Sequence, residues 1–208
     1  MRRSLPSAVA AGLILAACSV GPPPKTYVLG STPPASDTVA PLPGRPVLEV
    51  RRALVPDYLD GTDIVSRGPG NLVQPSRTGR WGERLSVGVT HALAAGLSRR
   101  LPDVVITTNP PPEAAACELL LDVQAFEADT DGRVALVGQW RVLAGSSGDT
   151  LAGEQASFTE PIAGTGDEPL VVAMSAAVDK LAERVAISVR RLGAPCHGSG
   201  TSARFSRQ

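Results

Sequence analysis

The sequence predicts an α+β domain, a two-layer sandwich in which one mixed, mostly antiparallel sheet carries two helices on one face. Three observations lead there. Residues 80–101 and 170–192 repeat apolar side chains at the spacing of an amphipathic helix. Between them, residues 118–127, 133–143 and 151–160 alternate apolar and polar side chains, the period of a half-buried strand. Each helix needs an apolar surface to cover, and one face of a single sheet serves both.

Taken in order, Val47 to Ala53 alternates well enough for a first strand. Residues 54–79 read as loop, punctuated by Pro56, Gly61, Gly68, Pro69, Gly70, Pro75 and Gly79. A loop of that length in a compact domain is functional or disordered. The first helix should begin near Arg80, with Trp81, Leu85, Val89, Ala92, Leu93, Leu97 and Leu101 as its stripe, and Pro102 stops it. Val104, Val105 and Ile106 make a short strand within 103–108, and Pro110, Pro111 and Pro112 make a loop. In the strand 118–127, Leu119, Leu121, Val123 and Ala125 share one face. Asp131-Gly132 is a hairpin turn signal, and Val134, Leu136, Gly138, Trp140 and Val142 align on the returning strand. After a turn at 145–149, residues 151–160 form a weaker, more polar third strand of the meander. The second helix carries Leu170, Met174, Val178, Leu181, Val185 and Leu192 on its stripe, and Gly193 and Pro195 end it.

Ahead of the domain the chain reads differently. Arg2 and Arg3, then an apolar stretch from Leu5 to Ala17 too short to span a bilayer, follow the plan of a secretory signal peptide. Its end, Leu15-Ala16-Ala17-Cys18, resembles the lipobox of bacterial lipoproteins. That resemblance implies cleavage before Cys18, diacylation of its thiol and acylation of its new amino group, palmitate being the expected chain. The bland alternative is an ordinary signal peptide with Cys18 incidental. Three chains would hold the protein to a membrane almost permanently, whereas one anchors only marginally. Ser19, not Asp, follows the cysteine, which by similarity to lipoprotein sorting implies the periplasmic face of the outer membrane of a diderm bacterium. Residues 19–46 are rich in proline, and such a tether reaches on the order of 80 Å when extended. Tyr27-Val28-Leu29 interrupts it, either as a short docked strand or as an exposed apolar spot. The organisation expected is thus a signal peptide at 1–17, an acylated cysteine and tether at 18–46, a domain at 47–192 and a flexible tail at 193–208.

Composition narrows the function. Lys plus Arg number 20 and Asp plus Glu 20, a balance that argues against nucleic-acid binding. No apolar run long enough for an internal transmembrane helix follows the first segment. The residues carry no G-x-S-x-G elbow, C-x-x-C pair, phosphate-binding loop or zinc-ligand spacing, so no catalytic residue, metal ligand or cofactor is expected. His91 lies within the first helix and His197 in the tail. Asp122 and Glu127, five apart on one strand, should face opposite sides and so form no paired acid–base site. With Cys18 acylated, Cys117 and Cys196 remain. An even number of thiols in an exported chain invites a structural disulfide; two free thiols are the alternative.

The loop before the first helix is the most informative stretch. Tyr58, Leu59, Ile64 and Val65 are apolar groups among turn formers, and Arg67 and Arg80 are available cations. These six are the candidates for a partner contact. An ordered loop that seals one edge of the core is the competing reading. Arg80 would stand at a helix N-terminus, where the dipole disfavours a cation.

Lipobox Cys18, Tyr27-Val28-Leu29, Pro56-x-Tyr58-Leu59, Ile64-Val65-x-Arg67, Arg80-Trp81 with Leu85, Phe126-Glu127 and Gln139-Trp140-Arg141 together resemble the PqiC/YmbA-type ABC-transport auxiliary lipoproteins. The resemblance runs from Cys18 to about Leu192. It implies a small α+β sheet with two helices and a non-catalytic role in lipid traffic between two membranes. The implied partner is an MCE-domain protein fed by an ABC permease and ATPase, docked at the outer membrane by a lipid-anchored subunit. A homo-oligomeric ring is expected, because partners of this kind are rings. The ending beyond Leu192 departs from the family's, so a disulfide there is not expected as a family trait. An outer-membrane assembly factor and an autonomous periplasmic lipid carrier are the competing functions.

Overall fold

The computed structural model describes residues 22–30, 44–193 and 196. The signal segment, Cys18 and the tail from residue 197 lie outside the described residues. Eight strands and two helices follow in the order β1 (Lys25–Tyr27), β2 (Val47–Val50), β3 (Asp63–Arg67), β4 (Val73–Trp81), α1 (Leu85–Arg100), β5 (Val105–Thr107), β6 (Cys117–Ala128), β7 (Arg133–Ala144), β8 (Thr150–Pro161) and α2 (Asp167–Leu192). The architecture is α+β, with one open mixed sheet.

β6, β7 and β8 form the antiparallel meander that the alternation predicts, each 12 residues long. The other edge of β6 is shared. Near its start it pairs in parallel with β2, which in turn pairs with β5. Near its end Ala128 pairs in parallel with Ser66 of β3, which continues antiparallel to β4 and then in parallel to β1. The long pairings are thus antiparallel and the short additions mostly parallel. These registers define two poles. One holds the β6–β7 turn, the end of β8 and the β3–β4 turn. The other holds the starts of β2 and β6 and the β7–β8 turn.

The core lies between the sheet and the helices. Leu119, Leu121, Val123 and Phe126 of β6 and Val134, Leu136, Trp140 and Val142 of β7 meet Val89, Leu93 and Leu97 of α1 and Met174, Val178, Leu181 and Val185 of α2. The helices touch closely. A Cβ on Gly96 would lie 2.6 Å from the Ala182 Cβ, so this crossing needs glycine. Beyond α2, Cys196 is joined by a disulfide to Cys117 at the start of β6, with Cα atoms 5.4 Å apart.

The structure corrects the sequence reading at several points. Residues 54–79 are not one loop, because they contain β3 and most of β4. Most of β4 is exposed, so it lacks the apolar alternation of a half-buried strand. The helix begins at Leu85 rather than Arg80. Trp81 closes β4 and drops its ring into the core from there, which mimics a helical stripe. Arg80 therefore stands opposite Asp63 in the β3–β4 pair and not at a helix N-terminus. In β6 a bulge between Val123 and Ala125 resets the alternation, so Phe126 and Ala128, not Ala125, continue the buried face. Gly138 lies across from the bulge, where a Cβ would come within 2.5 Å of the Asp122 carbonyl oxygen. The same bulge puts Asp122 and Glu127 on one side of the sheet instead of opposite sides. Of the triplet Tyr27-Val28-Leu29 only Tyr27 lies in a strand: the docked strand is Lys25–Tyr27, paired with Gly79–Trp81, while Val28 is exposed.

Candidate interaction site on the open sheet face

Of the six residues singled out above, Tyr58 and Arg67 come together on the sheet face turned away from the helices, joined there by Leu54. The chain leaving β2 keeps to the edge of β6. The Leu54 N–H donates to the Leu121 carbonyl at 2.9 Å and its own carbonyl accepts from Val123 N–H at 2.8 Å, so its backbone is fixed while its side chain is 68% exposed. A tight turn follows, with Leu59 N–H and Asp60 N–H both donating to the Pro56 carbonyl at 2.8 and 3.0 Å. Leu59 and Ile64 are each 1% exposed. They anchor the segment in the core and cannot meet a partner, which removes two of the six contact candidates. Val65 is partly buried against that core.

Tyr58 and Arg67 converge on Glu127. The Tyr58 hydroxyl donates to Glu127 Oε2 at 2.8 Å, and Arg67 Nε donates to Oε1 at 2.6 Å and also pairs with it through Nη2. Arg67 Nη2 further donates to the Tyr58 hydroxyl at 2.8 Å, and its guanidinium carbon lies 5.7 Å from the ring centre. Glu127 is only 5% exposed, yet both its oxygens accept hydrogen bonds, as a buried carboxylate requires. Burial first, then the bond to Glu127, pushes the Tyr58 phenol above its ordinary value. The bond to Glu127 likewise raises Arg67. The proton of Tyr58 and the charge of Arg67 are therefore fixed at neutral pH. This arrangement does not trade protons; it holds a tyrosine ring, 42% exposed, in one outward position.

A second device fixes the other end of the same loop. Asp60 Oδ1 accepts from Ser86 N–H at 3.0 Å in the first turn of α1, and Oδ2 accepts from Arg84 Nη2 at 2.9 Å. Arg84, the N-cap residue, has no side-chain cap bond of its own, so Asp60 supplies the cap from outside. Burial alone would raise its carboxyl. The Ser86 bonds and the Arg84 charge outweigh burial and hold it below the usual carboxylate range.

Leu54, Tyr58 and Arg67 thus lie along one fixed strip. A shallow cleft of about 300 Å3 beside it is lined by Arg51, Arg52, Leu54, Asp122, Gln139 and Arg141. Arg80 is exposed on β4, away from the Glu127 cluster. The sequence reading missed Leu54, and it noted Glu127 in the Phe126-Glu127 pair without its role as the brace of Tyr58 and Arg67. Leu54 could have been suspected from Ala53-Leu54-Val55, an apolar triplet that outlasts its strand. The role of Glu127 carried no local signal, because its facing depends on the bulge. Cys18 lies outside the described residues. Among the described residues no group of His, Cys, Asp and Glu is arranged to hold a metal ion, and no helix is long and apolar enough to cross a membrane.

Comparison with known proteins gives the wider context. The model of a family described as "ABC-type transport auxiliary lipoprotein component" matches residues 27–186, which spans β2 to β8, all of α1 and α2 as far as Ala186. The intermembrane transport lipoprotein PqiC of Escherichia coli (strain K12) is 29% identical over 130 residues, covering 62% of this chain and 69% of the relative. The same figures hold for PqiC of Shigella flexneri. A crystal structure of an uncharacterized protein superposes with a TM-score of 0.66 at 22% identity over 80% of this chain and 99% of the other. One of a Xanthomonas campestris protein gives 0.61 at 15% identity over 81% and 95%. These two likenesses establish a shared fold.

Proposed function

This chain belongs to the ABC-type transport auxiliary lipoprotein family, and we propose that it is a non-catalytic docking subunit of an intermembrane transport system. In this reading acylated Cys18 fixes the protein to the periplasmic face of the outer membrane. The domain then receives the periplasmic MCE component of an ABC system, acting as a homo-oligomeric ring. Leu54, Tyr58, Arg67 and Arg80 are the contact residues, with Leu59 and Ile64 in support beneath them.

One observation carries the docking role: the open face presents exposed apolar groups on a backbone locked to β6, braced by a buried carboxylate whose bonding capacity is used internally. Such a preorganised patch loses little entropy on binding. The interface between sheet and helices is filled by Trp140, Phe126, Leu93, Leu97 and Leu181, whereas an autonomous lipid carrier needs an apolar cavity.

The test is a mild-detergent pull-down of the lipidated protein from native envelopes, read by mass spectrometry. Enrichment of an MCE-domain protein, lost in L54D/Y58A protein whose melting and circular dichroism stay unchanged, is the expected result. Enrichment of an outer-membrane β-barrel assembly or lipopolysaccharide-transport protein instead would replace this reading with the assembly-factor one.

A further inference from the structure

The path of β1 sets how the domain stands relative to its anchor. β1 runs parallel to β4, with Lys25 beside Gly79 and Tyr27 beside Trp81. β4 starts at the β3–β4 turn, so the chain enters β1 from the pole that holds this turn. Tyr27 packs against the core, Gly82 N–H donates to the Tyr27 carbonyl at 2.7 Å, and Gly30 N–H donates to Ser175 Oγ at 3.1 Å on α2. The amino-terminal segment is thereby fastened at three places, and the proline-rich stretch is not one long leash. Only seven residue steps separate Cys18 from Lys25, at most about 25 Å of chain.

The β3–β4 turn reaches back over nearly the same distance. From Gly79 to Val73 is six strand residues, about 20 Å. At its tip Gly70 and Asn71 both take positive φ, +66° and +63°, and Gly68 N–H donates to the Leu72 carbonyl at 2.7 Å. This tight turn leaves Leu72 54% and Val73 36% exposed, with Pro69 also exposed. A rigid hairpin therefore ends in an apolar tip on the side from which the anchor arrives, within about 5 Å of the anchor's full reach.

We propose that the tip of the β3–β4 hairpin, through Leu72 and Val73, rests in the interfacial layer of the same bilayer that holds acylated Cys18. This rests on the lipid-anchor reading above. The occupant is the lipid surface because the short connection keeps the pole against the membrane and because the tip is apolar. Charges near this pole are mixed, Asp129 and Asp131 on the β6–β7 turn with Arg133 opening β7 and Arg77 on β4, so the contact rests on the apolar tip and not on charge. The open face with Leu54 and Tyr58 then stands to the side, accessible to a periplasmic partner.

The experiment uses the full lipidated protein in vesicles of phosphatidylethanolamine and phosphatidylglycerol with brominated acyl chains. L72W places a reporter at the tip, and S147W places one on the β7–β8 turn at the other pole; Trp81 and Trp140 are buried and set the background. Intact-mass measurement first verifies the acyl chains on Cys18, so that their absence counts against the anchor and not against the orientation. With acylation present, the L72W emission above background should fall at least twofold while that of S147W is unchanged. Inserting twenty Gly/Ser residues between Pro24 and Lys25 should abolish the quenching. Lipidated protein in which L72W is unquenched, or S147W is quenched more, overturns the proposal. So does a tip that is shielded only when a partner protein is added.

Discussion

Removing the Cys117–Cys196 bond should lower stability without altering the fold. The bond spans a sequence separation of 79 residues, enclosing the meander and α2. In the chain-entropy model a loop of that length withholds roughly 15 cal/mol/K from the unfolded chain, about 4.5 kcal/mol at 25 °C. Native contacts change little, because Val185, Ala186 and Val189 already bury the end of α2. The C117A/C196A protein should therefore be near 3–4 kcal/mol less stable, allowing for strain and residual structure in the reference state. For a chain of this size that is a fall in Tm on the order of 10 °C. Urea denaturation at fixed pH, with and without reductant, measures it. The wild-type midpoint should fall on reduction to that of the double variant, and the slope should rise as the unfolded state expands. An unchanged midpoint with mass spectrometry showing the bond reduced would refute the entropic reasoning. Two titratable thiols at Cys117 and Cys196 in the folded, unreduced protein would refute the bond.

Other consequences can be checked by the same methods. G96V should cost about 1–3 kcal/mol, because its side chain enters the space of the Ala182 Cβ, and an added A182G should restore part of the loss. D60N should cost about 1 kcal/mol at neutral pH by weakening the external cap on α1. Its pH dependence has a definite sign. The folded Asp60 carboxyl is held below its ordinary 3.8, so its contribution is complete above that value and is lost as pH falls through the folded-state value. Denaturation midpoints measured across the acid range should accordingly fall less steeply for D60N than for wild type. A parallel fall would remove the charge from the account.

The sequence was most informative where burial was one-sided and regular. Leu119, Leu121 and Val123, the aligned residues of β7, and Leu170 through Val185 on α2 all sit on the faces that their spacing implies. It was least informative where structure depends on distant partners. β4 is polar because it is largely uncovered, and pairing with β1 and β3, not its own pattern, makes it a strand. Trp81 kept helical spacing with Leu85 while belonging to a strand. Alternation failed after Val123 because a bulge is paid for by Gly138 on another strand. In the site, Tyr58 and Arg67 were legible as unusual residues in a turn-rich segment. Leu59 and Ile64 looked equivalent to Tyr58, but only the folded chain separates the anchors from the exposed ring. Glu127 and the capping role of Asp60 arise from contacts over 69 and 26 residues, which no local pattern encodes.

The sharing of β6 between two groups of strands also bears on the order in which the protein becomes itself. In the exported, lipid-anchored reading proposed above, residues would leave a secretion channel from the amino terminus. β2 and β3 have no long strand to join until residue 128 has emerged, and an isolated hairpin such as β3–β4 is marginal in water. In that reading the first half of the chain would stay translocation-competent by its own topology, since the template that gathers it arrives late. Once β6 to β8 and α2 are out, the sheet can close around a strand that is made after β1 to β5, and in that reading the amino terminus would by then be on the far side of the membrane.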